Sequence, residues 1–205
     1  MPDIGEVAAT RVALLELRDE RRLVQEGYEL LDEKRVLLAT EILRELRAHE
    51  AAQARIDRLG LEAREALAAA VETHGFDDLT VEPPCLIDNV LLRQFERRFL
   101  GLRLTEASLD VAPCLPAAPP VRGTPELRRC AGSFRQLTGE LVAQAARAAN
   151  LRRLSEEYRR TERRARALEN VLLPEIDQSL KFIEEQLDAV DQEEAVRVRN
   201  VAHGH

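Results

Sequence analysis

The sequence predicts a predominantly all-α chain: a long antiparallel two-helix coiled coil with a small middle section containing a β-hairpin. Three observations predict it. No proline falls between Pro2 and Pro83 or between Pro125 and Pro174, whereas six of the nine lie from Pro83 to Pro120. Proline removes a backbone donor and breaks a helix interior, so two stretches free to be helical flank a middle that is not. Both stretches are dense in Leu, Ala, Glu and Arg, the better helix formers. Their apolar residues recur at spacings of three, four and seven, the period of a helix seam. The domain organisation read from this is 1–75, an N-terminal coiled-coil helix; 76–123, a middle connector; and 124–205, a C-terminal coiled-coil helix and tail.

The first helix is expected to start at Thr10, an N-cap residue, and to stop at Gly75 after His74. Its seam reads Leu14, Leu17, Val24, Tyr28, Leu31, Leu38 and Ile42, interrupted by Arg21 and Arg35. It then shifts to Leu46, Ala52, Ile56, Leu59, Ala63 and Leu67. The steps from Leu38 to Ile42 to Leu46 form a stutter, which locally unwinds a coiled coil. Gly27 has two readings, tolerance on an exposed face or close approach of another chain.

The middle section holds two strand-like stretches, Leu79 to Val81 and the run from Phe95 to Val111. Residues 113–123 read as an extended proline-rich connector. The last helix is expected from Thr124, with Pro125 at its first helical position. Its seam reads Leu151, Leu154, Tyr158, Ala165, Leu168, Leu172, Ile176, Leu180, Ile183, Leu187 and Val190. A second stutter falls at Leu168, Leu172 and Ile176, where Pro174 should bend the helix.

If the helix ends coincide, facing residue numbers sum to roughly 208, the register that opposite flanking charges favour. That offset sets the acidic run Glu184, Glu185, Asp188, Asp191, Glu193 and Glu194 beside Arg11, Arg18, Arg21 and Arg22. It sets Arg152 to Arg164 beside Glu41, Glu45, Glu50 and Asp57, and Tyr28 near Leu180.

Composition narrows the function. Aromatics are 3%, Trp is absent and Met occurs once, too little for a conventional globular core, while 33% of residues are charged. A net charge of −7 carries no general affinity for nucleic acid. Cys85, Cys114 and Cys130 form no CxxC pair, so reduced structural thiols in the cytoplasm are expected. No signal-peptide pattern or membrane-length apolar run is present, and membrane association must run through a partner.

Catalytic signatures are missing. There is no phosphate loop, G-x-G-x-x-G, H-E-x-x-H or G-x-S-x-G, so no cofactor and no catalytic or metal-binding residue is assigned. His49 and His74 read as solvent-facing or packing residues, and His203 and His205 as part of a frayed tail. Seven arginines from Arg152 to Arg166 face only Glu156, Glu157 and Glu162. They are a basic band for an acidic partner or, the blander reading, a solvated face balanced by the neighbouring helix.

The residues Thr161, Arg163, Arg164, Ala167, Leu168, Glu169, Pro174, Ser179, Lys181, Phe182 and Ile183 resemble the pattern T-x-R-R-V-N-A-L-E, proline, S/T-I-K-F/Y-I of the D subunit of V/A-type rotary ATPases. Thr10, Arg11 and Leu14 resemble that family's opening. Gly27, Leu30, Leu31, Lys34 and Arg35 resemble its R-G-x-x-L-L-x-x-K-R segment, and Leu100 to Leu104 its M-G-V-R-V-P hairpin. Arg166 stands where the family has Asn, and Leu104 is not followed by Pro. The resemblance covers about two-thirds of the chain and both helices. It implies a non-catalytic central rotor shaft, peripheral to the membrane, that transmits torque between ATP chemistry and ion movement. The implied partners are the A and B subunits of the catalytic head, the small F subunit of the central stalk and the adaptor above the membrane ring. Arg11, Gly27, Arg163, Arg164, Pro174, Leu180 and Ile183 are the implied shaft and partner-contact residues. A free-standing coiled-coil adaptor or scaffold is the alternative class.

Overall fold

A computed structural model describes residues 10–81, 90–111 and 124–202. In chain order they form helix α1 (Arg11–Val81), strands β1 (Val90–Phe99) and β2 (Leu102–Val111), helix α2 (Pro125–Ala167), a π-helical turn (Leu168–Leu172) and helix α3 (Leu173–Ala202). The expected fold class is the observed one, two long helical stretches with a two-stranded antiparallel hairpin between them in sequence. The connector at 113–123, Cys85, Cys114 and the histidines of the tail lie outside the described residues.

The caps form for the expected reasons. Thr10 Oγ1 accepts from the Ala13 amide at 3.1 Å, and the Thr10 carbonyl accepts from Leu14 at 3.1 Å. Gly75 leaves helical geometry at φ 73° and ψ 163°, but the helix resumes beyond it to Val81. The strand expected at Leu79 to Val81 is therefore helical. Three residues without a pairing partner gain more from continuing the helix than from extending.

Contacts divide the chain into two units, residues up to Leu37 with those from Tyr158 onward, and residues Leu38–Glu157. In the first unit α1 pairs antiparallel with α3: Arg11 reaches Asp191 at 3.2 Å, Arg18 reaches Glu184 at 2.7 Å and Arg21 reaches Asp177 at 2.6 Å. Ile176, Leu180 and Ile183 are buried in this seam with Ala165 and Thr161. Val190 is exposed instead of completing it.

The expected register is corrected here. Tyr28 hydrogen-bonds Glu169 rather than meeting Leu180, eleven residues from the expected partner, whereas Arg11–Asp191 and Arg18–Glu184 are displaced by six, each pair summing to 202. A heptad pattern reports which face is apolar, and a slip by whole turns keeps apolar residues facing each other.

The π-helical turn immediately precedes Pro174. The Leu173 amide bonds the carbonyl of Leu168, five residues back. Proline cannot donate, and its ring would collide with the carbonyl four residues earlier. One widened turn removes that conflict and inserts a residue into the helical repeat. The stutter at Leu168, Leu172 and Ile176 is the sequence trace of this turn.

In the second unit the α1–α2 pairing is also antiparallel, with Arg55 to Glu140 at 3.2 Å and His74 to Thr124 at 2.8 Å. Its seam is built on small residues: Ala52, Ala63, Ala66 and Ala70 are buried with Leu38 and Ile56, while Leu46 and Leu67 are exposed. Alanine at the contact lets two helix axes approach closely. Larger leucines at neighbouring positions are then turned outward.

The hairpin turns on Leu100 and Gly101, both with positive φ (48° and 87°), as a two-residue loop matched to strand twist requires. Register pairs Arg97 with Leu104 and Phe99 with Leu102, so alternate residues of each strand share one face. Leu104 on that face is buried.

Candidate functional site

Two assemblies of side chains could serve function: the ion-paired seam of the first unit and the anchored hairpin of the second. In the seam, Arg11, Arg18 and Arg21 are committed to α3, and Arg22 to Asp19 on its own helix at 3.2 Å. All are exposed, so each pair contributes little energy but fixes axial offset. Gly27 packs against this seam. A Cβ built on it would meet Leu168 Cδ1 at 3.8 Å, an ordinary van der Waals contact. Neither reading describes it: Gly27 is half-buried rather than exposed, and its neighbour belongs to the same chain and leaves room for a Cβ. Gly27→Ala should fit and stabilise the isolated chain by ~1 kcal/mol, since glycine lowers helix propensity by about that amount. A raised unfolding midpoint in urea checks this, and a lowered one would mean the contact is tighter than it is here.

Tyr28 is held by the next turn. The negative charge of Glu169 pushes its hydroxyl above the ordinary tyrosine range, and Glu169 also accepts its hydrogen bond. Leu180 and Ile183 are buried at 8% and 1% exposure, while Pro174 is exposed. Arg163 and Arg164 are exposed with Arg159 and Arg160, and none of the four makes an ion pair among the described residues. Arg152 and Arg166 pair within their own helix with Glu156 and Glu162.

The hairpin is anchored by polar contacts that the sequence did not single out. Asn150, 2% exposed on α2, reads the outer edge of β2 as a third strand would. Its Oδ1 accepts from the Thr105 amide at 2.8 Å, and its Nδ2 donates to the Thr105 carbonyl at 2.9 Å. Arg153 adds a bond to the Arg103 carbonyl at 3.0 Å. Both edge groups of a β residue must find partners once water is excluded. On β1, Arg97 donates to buried Glu41, which also accepts from Arg44 at 2.6 Å. Arg97 and Arg44 also approach Glu45, at 3.6 and 3.4 Å. The expectation that the arginines from Arg152 to Arg164 would pair Glu41 and Glu45 is thus overturned, because the hairpin supplies a nearer guanidinium.

Burial pushes the Glu41 carboxyl up, but the hydrogen bonds and charges of Arg97 and Arg44 outweigh it and hold the group below the ordinary glutamate range. A depressed folded value means its stabilisation is present above the unfolded value of about 4.3 and is lost as pH falls through the folded value. Thermal midpoints should therefore drop below about pH 4 with a component that Glu41→Gln lacks. Identical pH profiles for the two proteins would remove Glu41 as the cause.

Both helix histidines make contacts between helices. His74 is half-buried against Thr124, and the His49 carbonyl accepts from Gln144 Nε2 at 3.1 Å. Cys130 is half-buried, and burial pushes its thiol up, away from reactivity. Among the described residues no group of three His, Cys, Asp or Glu side chains could hold a metal ion. A groove of about 500 Å³ between α1, α2 and the hairpin is lined by Arg44, Glu45, Phe95, Glu106, Ser108 and Arg147 among others. No described helix is long and apolar enough to cross a membrane.

Asn150 carried a faint signal, a lone amide in the alanine-rich stretch from Ala145 to Leu151. The Glu41–Arg97 pair carried none, since the two residues belong to separate elements with no shared period.

Comparison with known proteins adds a family. A family model described as the ATP synthase D subunit matches residues 13–203. The chain is 30% identical to the V-type ATP synthase D subunit of Thermus thermophilus, over 97% of this chain and 88% of that one. It is 31% identical to the V-type ATP synthase D subunit of Anaeromyxobacter dehalogenans, over 98% of both. It is 30% identical to the A-type ATP synthase D subunit of Pyrococcus furiosus, over 98% and 95%.

Proposed function

Since this chain belongs to the family of ATP synthase D subunits, we propose that it is the central-stalk rotor of a V/A-type rotary ATPase. It carries torque between the catalytic A and B head and the membrane ring and performs no chemistry of its own. The observation that carries this reading is the family match across residues 13–203, which takes in both long helical stretches and the hairpin. The partners it engages are the A and B subunits, the small F subunit and the adaptor above the ring, with the membrane reached only through them. A free-standing scaffold, the other class open to such a composition, has no comparable support.

Arg11, Leu180 and Ile183 serve this role by holding the seam together, Gly27 by lying against Leu168 within it, and Arg163 and Arg164 by offering uncommitted guanidinium groups to a partner. Pro174 sets the widened turn between the two.

Co-expression with the A, B and F subunits of the same genome tests the reading. The chain should co-purify in a defined complex, and the purified chain alone should not hydrolyse ATP. An A–B–F complex that assembles and couples hydrolysis to ion movement without this chain would overturn it.

A further inference from the structure

The α1–α2 seam of the second unit does little to fix where one helix sits along the other. Ala52, Ala63, Ala66 and Ala70 are buried in it, with Leu38 and Ile56 the larger buried side chains of α1 in this unit. Helix α2 is itself alanine-rich from Ala143 to Ala149. Alanines raise only shallow ridges, so a slip by one turn sets small residue against small residue with little loss of packing. Polar contacts across the seam are equally undemanding. Arg55–Glu140 is an exposed ion pair, and His74–Thr124 lies where the paired helices end. Buried Gln144 donates to the His49 carbonyl at 3.1 Å, but its Nε2 is also 3.4 Å from Gln53 Oε1, one turn further along α1. Its own Oε1 has no partner among the described residues. A group that already reaches two successive turns does not tell one from the next.

The hairpin does tell them apart, because each of its strands holds a different helix. On β1, Arg97 donates to buried Glu41 of α1. On β2, Thr105 engages buried Asn150 of α2 through both its amide and its carbonyl, at 2.8 and 2.9 Å. Arg153 of α2 adds bonds of 3.0 Å to the Arg103 carbonyl and the Thr105 hydroxyl. These anchors lie on neighbouring rungs of one ladder, Arg97 opposite Leu104 and Glu96 opposite Thr105. The ladder is bonded along its length at a strand spacing of ~4.8 Å, so it sets the offset between Glu41 and Asn150. A slip of one helical turn is ~5.4 Å, further than any of these hydrogen bonds stretches.

We propose that the hairpin is a register clamp: by holding Glu41 of α1 and Asn150 of α2 on adjacent rungs, it fixes the axial offset of two helices whose alanine seam leaves that offset open. The proposal stands on these contacts and does not depend on the rotor reading. In a rotor, the clamp makes α1 and α2 of this unit bear axial load as one body.

The test follows the axial offset in the full chain, with Cys85, Cys114 and Cys130 changed to Ser and spin labels attached through Arg64→Cys on α1 and Thr138→Cys on α2, both exposed positions. Pulsed electron paramagnetic resonance should give one narrow distance in this parent. The double variant Arg97→Leu/Asn150→Leu removes both anchors and leaves Glu41 its bond from Arg44. It should keep its helical circular dichroism, lose amide protection at Thr105, and add populations displaced by about 5 Å along the axis for each turn of slip. Gln144→Leu should keep the single parental distance. One narrow parental distance in the double variant, with Thr105 unprotected, would overturn the proposal. So would a hairpin that stays protected without its anchors, or a second distance in Gln144→Leu alone. Should the double variant lose its helical signal, Arg97→Leu/Asn150→Asp, which keeps an acceptor for the Thr105 amide, is the milder form read by the same criteria.

Discussion

Replacing Leu180 and Ile183 together with Ala is expected to uncouple the assembled complex while leaving nucleotide binding intact. The two side chains are 8% and 1% exposed in the α1–α3 seam. Each large-to-small change in such a site costs ~2–5 kcal/mol, as lost transfer energy plus the cavity left behind. The ion pairs from Arg11, Arg18 and Arg21 flank this segment but are solvent-exposed, and pairs of that kind contribute ~0–1 kcal/mol each, too little to hold the register alone. The seam should then fray or slip, so that ATP hydrolysis persists in part while ions moved per ATP fall. Gln178→Ala, on the exposed side of the same helix, is the matched control and should do far less. A double variant that moves ions as efficiently per ATP as the parent would rule out this segment as a torque-bearing element.

Asn150→Leu is expected to release the hairpin. The substitution leaves the Thr105 amide and carbonyl, bonded at 2.8 and 2.9 Å, without their partner. Thr105 is half-buried, so each group orphaned in this way costs at most the ~1–3 kcal/mol of a buried one. Asn150→Asp keeps an acceptor for the Thr105 amide and loses the donor to its carbonyl, so it should fall between parent and Leu variant. Amide hydrogen exchange read at β1 and β2 checks the order, with protection lost locally while α2 around Leu154 stays protected. Unchanged protection at Thr105 in the Leu variant would mean that Arg153 and the Glu41–Arg97 pair suffice to hold the hairpin.

Much of this molecule is legible in one dimension. Thr10 caps α1 through both its hydroxyl and its carbonyl, because local hydrogen bonding needs only neighbours in sequence. Leu38, Leu154, Ile176, Leu180 and Ile183 are buried where helical period placed them. Arg11 and Arg18 find the acidic run anticipated for them. The family, too, is readable from Thr161 to Ile183, since a motif is a property of the sequence itself.

Only the tertiary structure decided the rest. Facing of Tyr28 with Glu169 was not accessible, because apolar period specifies a face and is silent on axial offset. The alanine seam at Ala52, Ala63, Ala66 and Ala70 emerged because closeness of two axes, not hydrophobicity, selects which residues are covered. Asn150 and the Glu41–Arg97 pair join elements far apart in the chain, and no local pattern encodes such contacts. The sequence by itself determined the helices, their apolar faces and the family. Packing determined register and hairpin anchorage, because these depend on distances between segments that one-dimensional periodicity does not contain.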